Sequence, residues 1–229
     1  MSTSRFRDRA DAGRVLAGLL RQYAARPDVV VLGLPRGGVP VAHEVARALG
    51  APLDVFVVRK LGVPGQEEYA MGAIASGGVR VLNRDAVAQL AISERVIDEV
   101  AARERRELER REHLYRDGRE PPTLEGRTVI VVDDGLATGA SMRAAVEALK
   151  NHHPARIVVA VPVGSAETCA RLRHEVDEVV CAATPDPFFA VGPWYDDFEQ
   201  TTDGEVHDAL ARAAARVSVE PREAFPADM

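Results

Sequence analysis

Two adjacent carboxylates, Asp133 and Asp134, end a run of four β-branched apolar residues, Val129, Ile130, Val131 and Val132, in the stretch VIVVDDGLATGAS. A loop of mostly small residues, 135–141, follows. Backbone N–H groups of such a loop can converge on one point, and the helix behind it adds positive character, which suits a phosphate. Thr138 and Ser141 add hydroxyl donors. Two carboxylates beside an anion site need an occupant of their own, and the hydroxyls of a sugar or a divalent cation would each serve. A tight strand-to-helix turn with an Asp cap is the plainer reading. Four apolar residues, two acids and a Thr-Gly-x-Ser loop are too specific a combination for it. No Lys-Ser/Thr follows the glycine, and no G-x-G-x-x-G is present, so neither a P-loop triphosphatase nor a dinucleotide fold is expected.

Three other segments carry chemistry-capable residues. LPRGG (34–38) offers the backbone of Gly37 and Gly38, where no Cβ blocks a close approach, and the charge of Arg36. VVRKLGVPGQEEYAMG (57–72) places Arg59 and Lys60 before a polar loop containing Gly and Pro; alone, the pair reads as a solvated strand end. PDPFFAVGPWYDDF (185–198) clusters aromatics in a chain with only 5% of them. Phe188, Trp194 and Tyr195 there can equally form an apolar plug.

These residues need a scaffold. Residues 8–25 have helical apolar spacing. DVVVLGL (28–34) and PLDVFVVRK (52–60) are apolar runs expected as strands buried on both faces. A helix over 39–49 should stop at Gly50. MGAIASGGVRVLN (71–83) predicts two short strands in a hairpin. Strands are expected at 128–132, 156–163 and 177–183, with helices near 139–151 and 165–174. Thr202 and Glu205 have capping-box spacing and open a final helix. Strand–helix alternation argues for an α/β fold with a mostly parallel sheet flanked by helices.

One segment breaks the pattern. Residues 93–118 predict a long helix with eight acids and seven arginines between Ser93 and Asp117, supported by pairs such as Glu99–Arg103 and Glu107–Arg111. Its apolar stripe (Ile97, Ala101, Leu108, Tyr115) is thin, so it reads as a solvated arm packed along one edge. A single domain over 1–220 is expected, with a helical insertion at 84–120, an acceptor-side loop at 184–200 and a flexible tail at 221–229.

Bulk properties exclude several classes. The net charge of −6 argues against a dedicated nucleic-acid binder. No stretch approaches the ~20 apolar residues of a membrane span. The N-terminus lacks an apolar signal region, and the two cysteines, Cys169 and Cys181, read as reduced and structural. A cytoplasmic location is expected.

Over most of 28–200, the charged arm excepted, the chain resembles the type I phosphoribosyltransferases. VIVVDDGLATGAS is similar to their phosphoribosyl-pyrophosphate (PRPP) signature, closest to the adenine-type form. The resemblance implies a small hood over the sheet. It implies that Asp133 and Asp134 hold the ribose 2′- and 3′-hydroxyls, and that Ala137, Thr138, Gly139, Ala140 and Ser141 cradle the 5′-phosphate. LPRGG looks like the family's pyrophosphate loop, with a non-proline cis peptide expected between Pro35 and Arg36. Arg36, Gly37, Gly38, Arg59 and Lys60 would bind pyrophosphate, the last two from a mobile lid. Asp133, Asp134, Arg36 and Lys60 form the implied catalytic set. Residues 185–198 resemble, with one extra residue, the hypoxanthine-guanine segment in which Phe-x-Val-Gly leads to an Asp. Phe188 or Phe189 would stack on the acceptor, and Asp196 would face the acceptor or a metal. Mg²⁺ is the implied cofactor, near Asp133 and Asp134 through ribose hydroxyls or water.

The implied function is transfer of 5-phosphoribosyl to a nitrogenous acceptor, a purine base being the first guess, in nucleotide metabolism or salvage, by a homodimer. Ala137 departs from the guanine-type pattern, which has an Asp at this position. The general base is therefore left open among Glu67, Glu68 and Asp196. Two other readings compete: a PRPP- or nucleotide-sensing regulator on the same fold, and a phosphoribosyl hydrolase.

Overall fold

The computed structural model describes residues 5–219. Five parallel strands make the central sheet: β1 (Val29–Gly33), β2 (Leu53–Val55), β6 (Thr128–Val132), β7 (Arg156–Val163) and β8 (Glu178–Ala183). They lie in the order β2-β1-β6-β7-β8. The register Val29↔Thr128 to Gly33↔Val132 brings the ends of β1 and β6 level, so the two loops that leave them start side by side.

Apolar runs without alternation form these strands because both faces are covered. Val30, Leu32, Val129 and Val131 pack on one side against α5 (Ala140–Lys150) and α6 (Ala166–Leu172). Val29, Val31, Ile130 and Val132 pack on the other against α1 (Arg9–Leu19) and α2 (Gly38–Leu49). Each fully buried Val, Leu or Ile contributes roughly 1.5–3 kcal/mol. Gly50 ends α2 in the left-handed region, φ 66°, where glycine carries no Cβ penalty.

A second, antiparallel sheet holds β3 (Val58–Val63), β4 (Gln66–Ala75) and β5 (Val79–Leu82). Here the structure corrects two expectations. The apolar run 52–60 is not one strand: β2 ends at Val55 and β3 belongs to the other sheet. The Phe56 N–H still bonds Gly33 O at 3.1 Å, but the Val57 N–H turns to Ser76 Oγ at 2.8 Å, which redirects the chain. The expected lid loop is instead the hairpin of β3 and β4, turning at Pro64-Gly65. The hairpin of β4 and β5 forms as expected.

The insertion folds as α3 (Arg84–Gln89) and α4 (Glu94–Arg116). All four residues of its apolar stripe are buried. They pack between β3, β4 and the last helix, α7 (Asp203–Val219), so α4 is more firmly docked than a solvated arm. Arg116 is a core residue: its Nε meets Asp54 Oδ2 at 2.9 Å, Nη1 meets Glu112 at 2.9 Å, and Nη2 donates to Val55 O at 3.1 Å. Glu107–Arg111 forms, whereas Glu99 pairs with Arg95. Thr202 and Glu205 cap α7 reciprocally. No helix among the described residues is long and apolar enough to cross a membrane. The tail at 221–229 lies outside the described residues.

Candidate active site

Asp133 and Asp134 leave the end of β6 against the loop that leaves β1. Leu34 N–H donates to Val132 O at 2.9 Å, which draws the two loops together. The contact is closest at the glycines. A Cβ on Gly38 would lie 2.6 Å from Val132 O and 2.8 Å from Asp133 Cα, and one on Gly37 would collide with the Asp134 carboxylate. The predicted cis bond between Pro35 and Arg36 is present, and Asp186–Pro187 is a second. Gly37 is the N-cap of α2; the Gly38 and Val39 N–H groups already bond Leu34 O and Arg36 O at 3.0 and 3.2 Å and Pro40 has none, so what this helix start offers negative charge is its dipole.

The small-residue loop is anchored from behind and open in front. Leu136 is buried, its N–H bonding Val163 O at 2.8 Å and its carbonyl accepting Ser165 N–H at 3.1 Å. The Thr168 hydroxyl donates to Ala137 O at 2.9 Å. Gly139, the N-cap of α5, has φ 74°, and a Cβ there would sit 2.6 Å from Thr168 Cγ2. Ala137, Thr138, Ala140 and Ser141 are exposed. A second glycine-capped helix N-terminus thus opens near the acids, the geometry that binds phosphate.

Burial, reinforced by the Asp134 charge, pushes the Asp133 carboxyl well above the usual carboxylate range. Burial also raises Asp134, opposed by Arg9. Arg9 is a residue that sequence reasoning missed. Its Nε donates to Asp134 Oδ2 at 2.9 Å, its Nη1 to Glu199 O at 2.6 Å, and its guanidinium lies 4.0 Å over the Phe198 ring. An arginine opening an amphipathic helix, 125 residues from its carboxylate, leaves no local pattern to find. Tyr195, also buried, donates to Asp134 O at 2.6 Å.

The loop at 184–200 divides the aromatic candidates. Phe188 packs with Val191, Trp194 and Phe198 on the cluster of Phe6 and Tyr195, whereas Phe189 is 87% exposed. Val191 fills the place that a Gly135 side chain would take, so this loop rests on the small-residue loop after β6. Asp196 has an exposed side chain, and its backbone N–H bonds Phe6 O at 2.9 Å.

The cationic candidates are spread wider. Arg36 is half-buried, and its charge is among those that oppose the rise that burial imposes on the Tyr115 phenol. Arg59 turns to the insertion: Nε and Nη2 meet Glu104 Oε2 at 3.0 and 2.7 Å. Lys60 is exposed on β3. Glu67 and Glu68 lie on β4, with side chains outside the described part of the structure. A cavity of about 610 Å³ lies apart from this cluster, lined by Leu32, Phe56, Leu124 and the Asp54–Arg116 pair and by no residue of the three loops. Within it Arg116 pairs with both Asp54 and Glu112, whereas His152 Nε2 is buried with no hydrogen-bond partner among the described residues.

No group of three or more Asp, Glu, His or Cys able to hold a metal occurs among the described residues. The Asp133–Asp134 pair offers hard oxygen donors of the kind Mg²⁺ takes when a phosphate ligand supplies the rest.

The phosphoribosyl transferase domain matches residues 6–197 of the chain. Two provisionally named phosphoribosyl transferases of Mycobacterium tuberculosis, from strains H37Rv and CDC 1551, are 52% identical over 208 residues, 91% of this chain. The match is 47% of their length, so the chain spans about half of these relatives. The crystal structure of TT1426 from Thermus thermophilus is 46% identical, with a TM-score of 0.80, and the alignment covers 91% of this chain and 98% of that one. With this fold, this acid pair and this match, the chain belongs to the phosphoribosyl transferase domain family.

Proposed function

We propose that the protein transfers 5-phosphoribosyl from PRPP to a nitrogenous acceptor and releases pyrophosphate. The observation that carries the reading is the acid pair, Asp133 and Asp134, set among loops that lead to two glycine-capped helix N-termini. PRPP has that pattern, with ribose hydroxyls between a 5′-phosphate and a pyrophosphate. Residues 137–141 would take the 5′-phosphate, and Gly37, Gly38 and Arg36 the pyrophosphate, with Lys60, and Arg59 once it leaves Glu104, reaching it from β3.

The transition state of such a displacement has oxocarbenium character. Asp133 and Asp134 would fix the sugar and stabilise the developing positive charge. Arg36 and Lys60 would stabilise the departing anion. Most of the rate acceleration then comes from positioning and electrostatics. Mg²⁺, held beside Asp133 and Asp134 through water or the ribose hydroxyls, would neutralise part of the pyrophosphate charge. Phe189, exposed at the acceptor side, can stack on a planar ring, which keeps a purine the first acceptor to try. The reading includes a cytoplasmic homodimer, for which solution mass is the measure.

Calorimetry with PRPP and Mg²⁺ tests the core of the reading. Absent binding, or binding undiminished when Asp133 and Asp134 become Asn, would sink it. A pyrophosphate-release screen over purines, pyrimidines and other amines then identifies the acceptor. Release without acceptor means a hydrolase, and tight PRPP binding without release under any acceptor means a sensor.

A further inference from the structure

We infer that Arg9 is a positioning residue for the transfer: it holds Asp134 toward the ribose and ties that hold to the acceptor-side loop. The inference rests on the transferase reading. Arg9 is the first residue of α1, and its side chain is 13% exposed. Three contacts fix it, one to the acid pair and two to residues 198–199. Nε takes Asp134 Oδ2, Nη1 takes the carbonyl of Glu199, and the guanidinium plane lies on Phe198. A Cβ on Gly37 would also come within 3.2 Å of Nε. The fork therefore stands where the pyrophosphate loop, the acid pair and the acceptor loop meet.

The contact with Asp134 is selective. Arg9 occupies Oδ2, the one side-chain hydrogen bond to that carboxylate among the described residues. Oδ1 is left to meet a ribose hydroxyl at an orientation set by the guanidinium on its neighbour. A second donor of the fork, Nη1, goes to the carbonyl of Glu199, in the segment just past the acceptor-side aromatics. A shift of residues 198–199 displaces Arg9 and with it the Asp134 carboxylate, so seating the acceptor loop and orienting the ribose are one event. Only a planar guanidinium spans both partners, since a lysine ammonium is a point donor on a flexible stem.

The test is calorimetry on the full chain with two Mg²⁺-loaded probes, PRPP and inorganic pyrophosphate, for wild type, Arg9→Met and Arg9→Lys. Methionine keeps an apolar stem against Phe198. Loss of one charge-assisted bond should raise the Kd of PRPP about tenfold in Arg9→Met, with pyrophosphate, which lacks the ribose, within about twofold of wild type. Arg9→Lys should recover only part of the loss, because it keeps the charge without the fork. A merely structural role would weaken both probes together. Equal losses for the two probes, full PRPP affinity in Arg9→Met, or full recovery in Arg9→Lys would each overturn the inference. If Arg9→Met lowers the melting temperature, the same comparison in Arg9→Lys decides. A wild-type chain that binds no PRPP refutes the transferase reading and the inference with it, whereas wild-type binding that Arg9→Met leaves unchanged refutes the inference alone.

Discussion

Asp133→Asn removes one of two adjacent charges and keeps the shape. Asp133 Oδ1 accepts the Asp134 N–H at 2.9 Å, a bond that an amide oxygen makes as well. The Gly38 backbone lies against Asp133, so an isosteric side chain is the change this position tolerates. The sign of the effect on stability follows from the carboxyl. Burial first, and the Asp134 charge second, raise it well above its ordinary 3.8. Between those two values the folded chain binds a proton that the unfolded chain has released. Stability therefore falls as pH rises through that window, at up to about 1.4 kcal/mol per pH unit for a full proton, and is level above it. Asparagine does not titrate and escapes this loss. For a chain of this size, 1 kcal/mol moves the melting temperature by roughly 2–4 °C. Without ligand, Asp133→Asn should melt above wild type at pH 8, by a margin that shrinks to nothing as pH falls toward 4. Calorimetric scans across that range measure the difference. PRPP with Mg²⁺ should invert the order at pH 8, because ligand binding stabilises only the form that binds it. A difference in melting temperature independent of pH, or a variant less stable than wild type at pH 8, would refute the reasoning.

Gly37→Ala drives a methyl into the Asp134 carboxylate; overpacking of this kind costs about 1–3 kcal/mol, read by urea unfolding, and PRPP affinity should fall with it. Thr168→Val keeps the methyl beside Gly139 and removes the hydroxyl donated to Ala137 O. It should cost about 1 kcal/mol and weaken ribose 5-phosphate binding more than pyrophosphate binding, both measurable by calorimetry. Arg116→Met leaves Asp54 buried without its guanidinium, a loss of about 3–5 kcal/mol. Adding Asp54→Asn should return part of that loss in the same unfolding assay, and no return would show that Arg116 acts through packing.

What the sequence made legible was local. The β6 run, the acid pair and the glycine loop lie within thirteen consecutive residues, 129–141, and the helix that follows had to begin near Gly139. Gly50 and the Thr202–Glu205 box are likewise signals within one turn of the elements they end or open. The division of 52–60 was hidden because Phe56 and Val57 are as apolar as the strands on either side. The change of sheet is made by hydrogen bonds to Gly33 and Ser76, with no Gly or Pro at the bend to mark it.

Charge partners were the other blind spot, for a different physical reason. The insertion's arginines look alike in sequence, yet Arg116 is buried on Asp54 while Arg95 sits on the surface beside Glu99. Glu104, one acid among eight, reaches 45 residues back to Arg59. Arg9 finds Asp134 and Glu199 at 125 and 190 residues' distance. An ion pair imposes no spacing on the chain, because only the folded geometry brings its members together. The loop chemistry on which the proposed PRPP reading rests can thus be read from one segment. The Asp134 carboxylate is held by Arg9 in the opening turn of α1, which also bonds residues 198–199, two segments that lie outside that stretch.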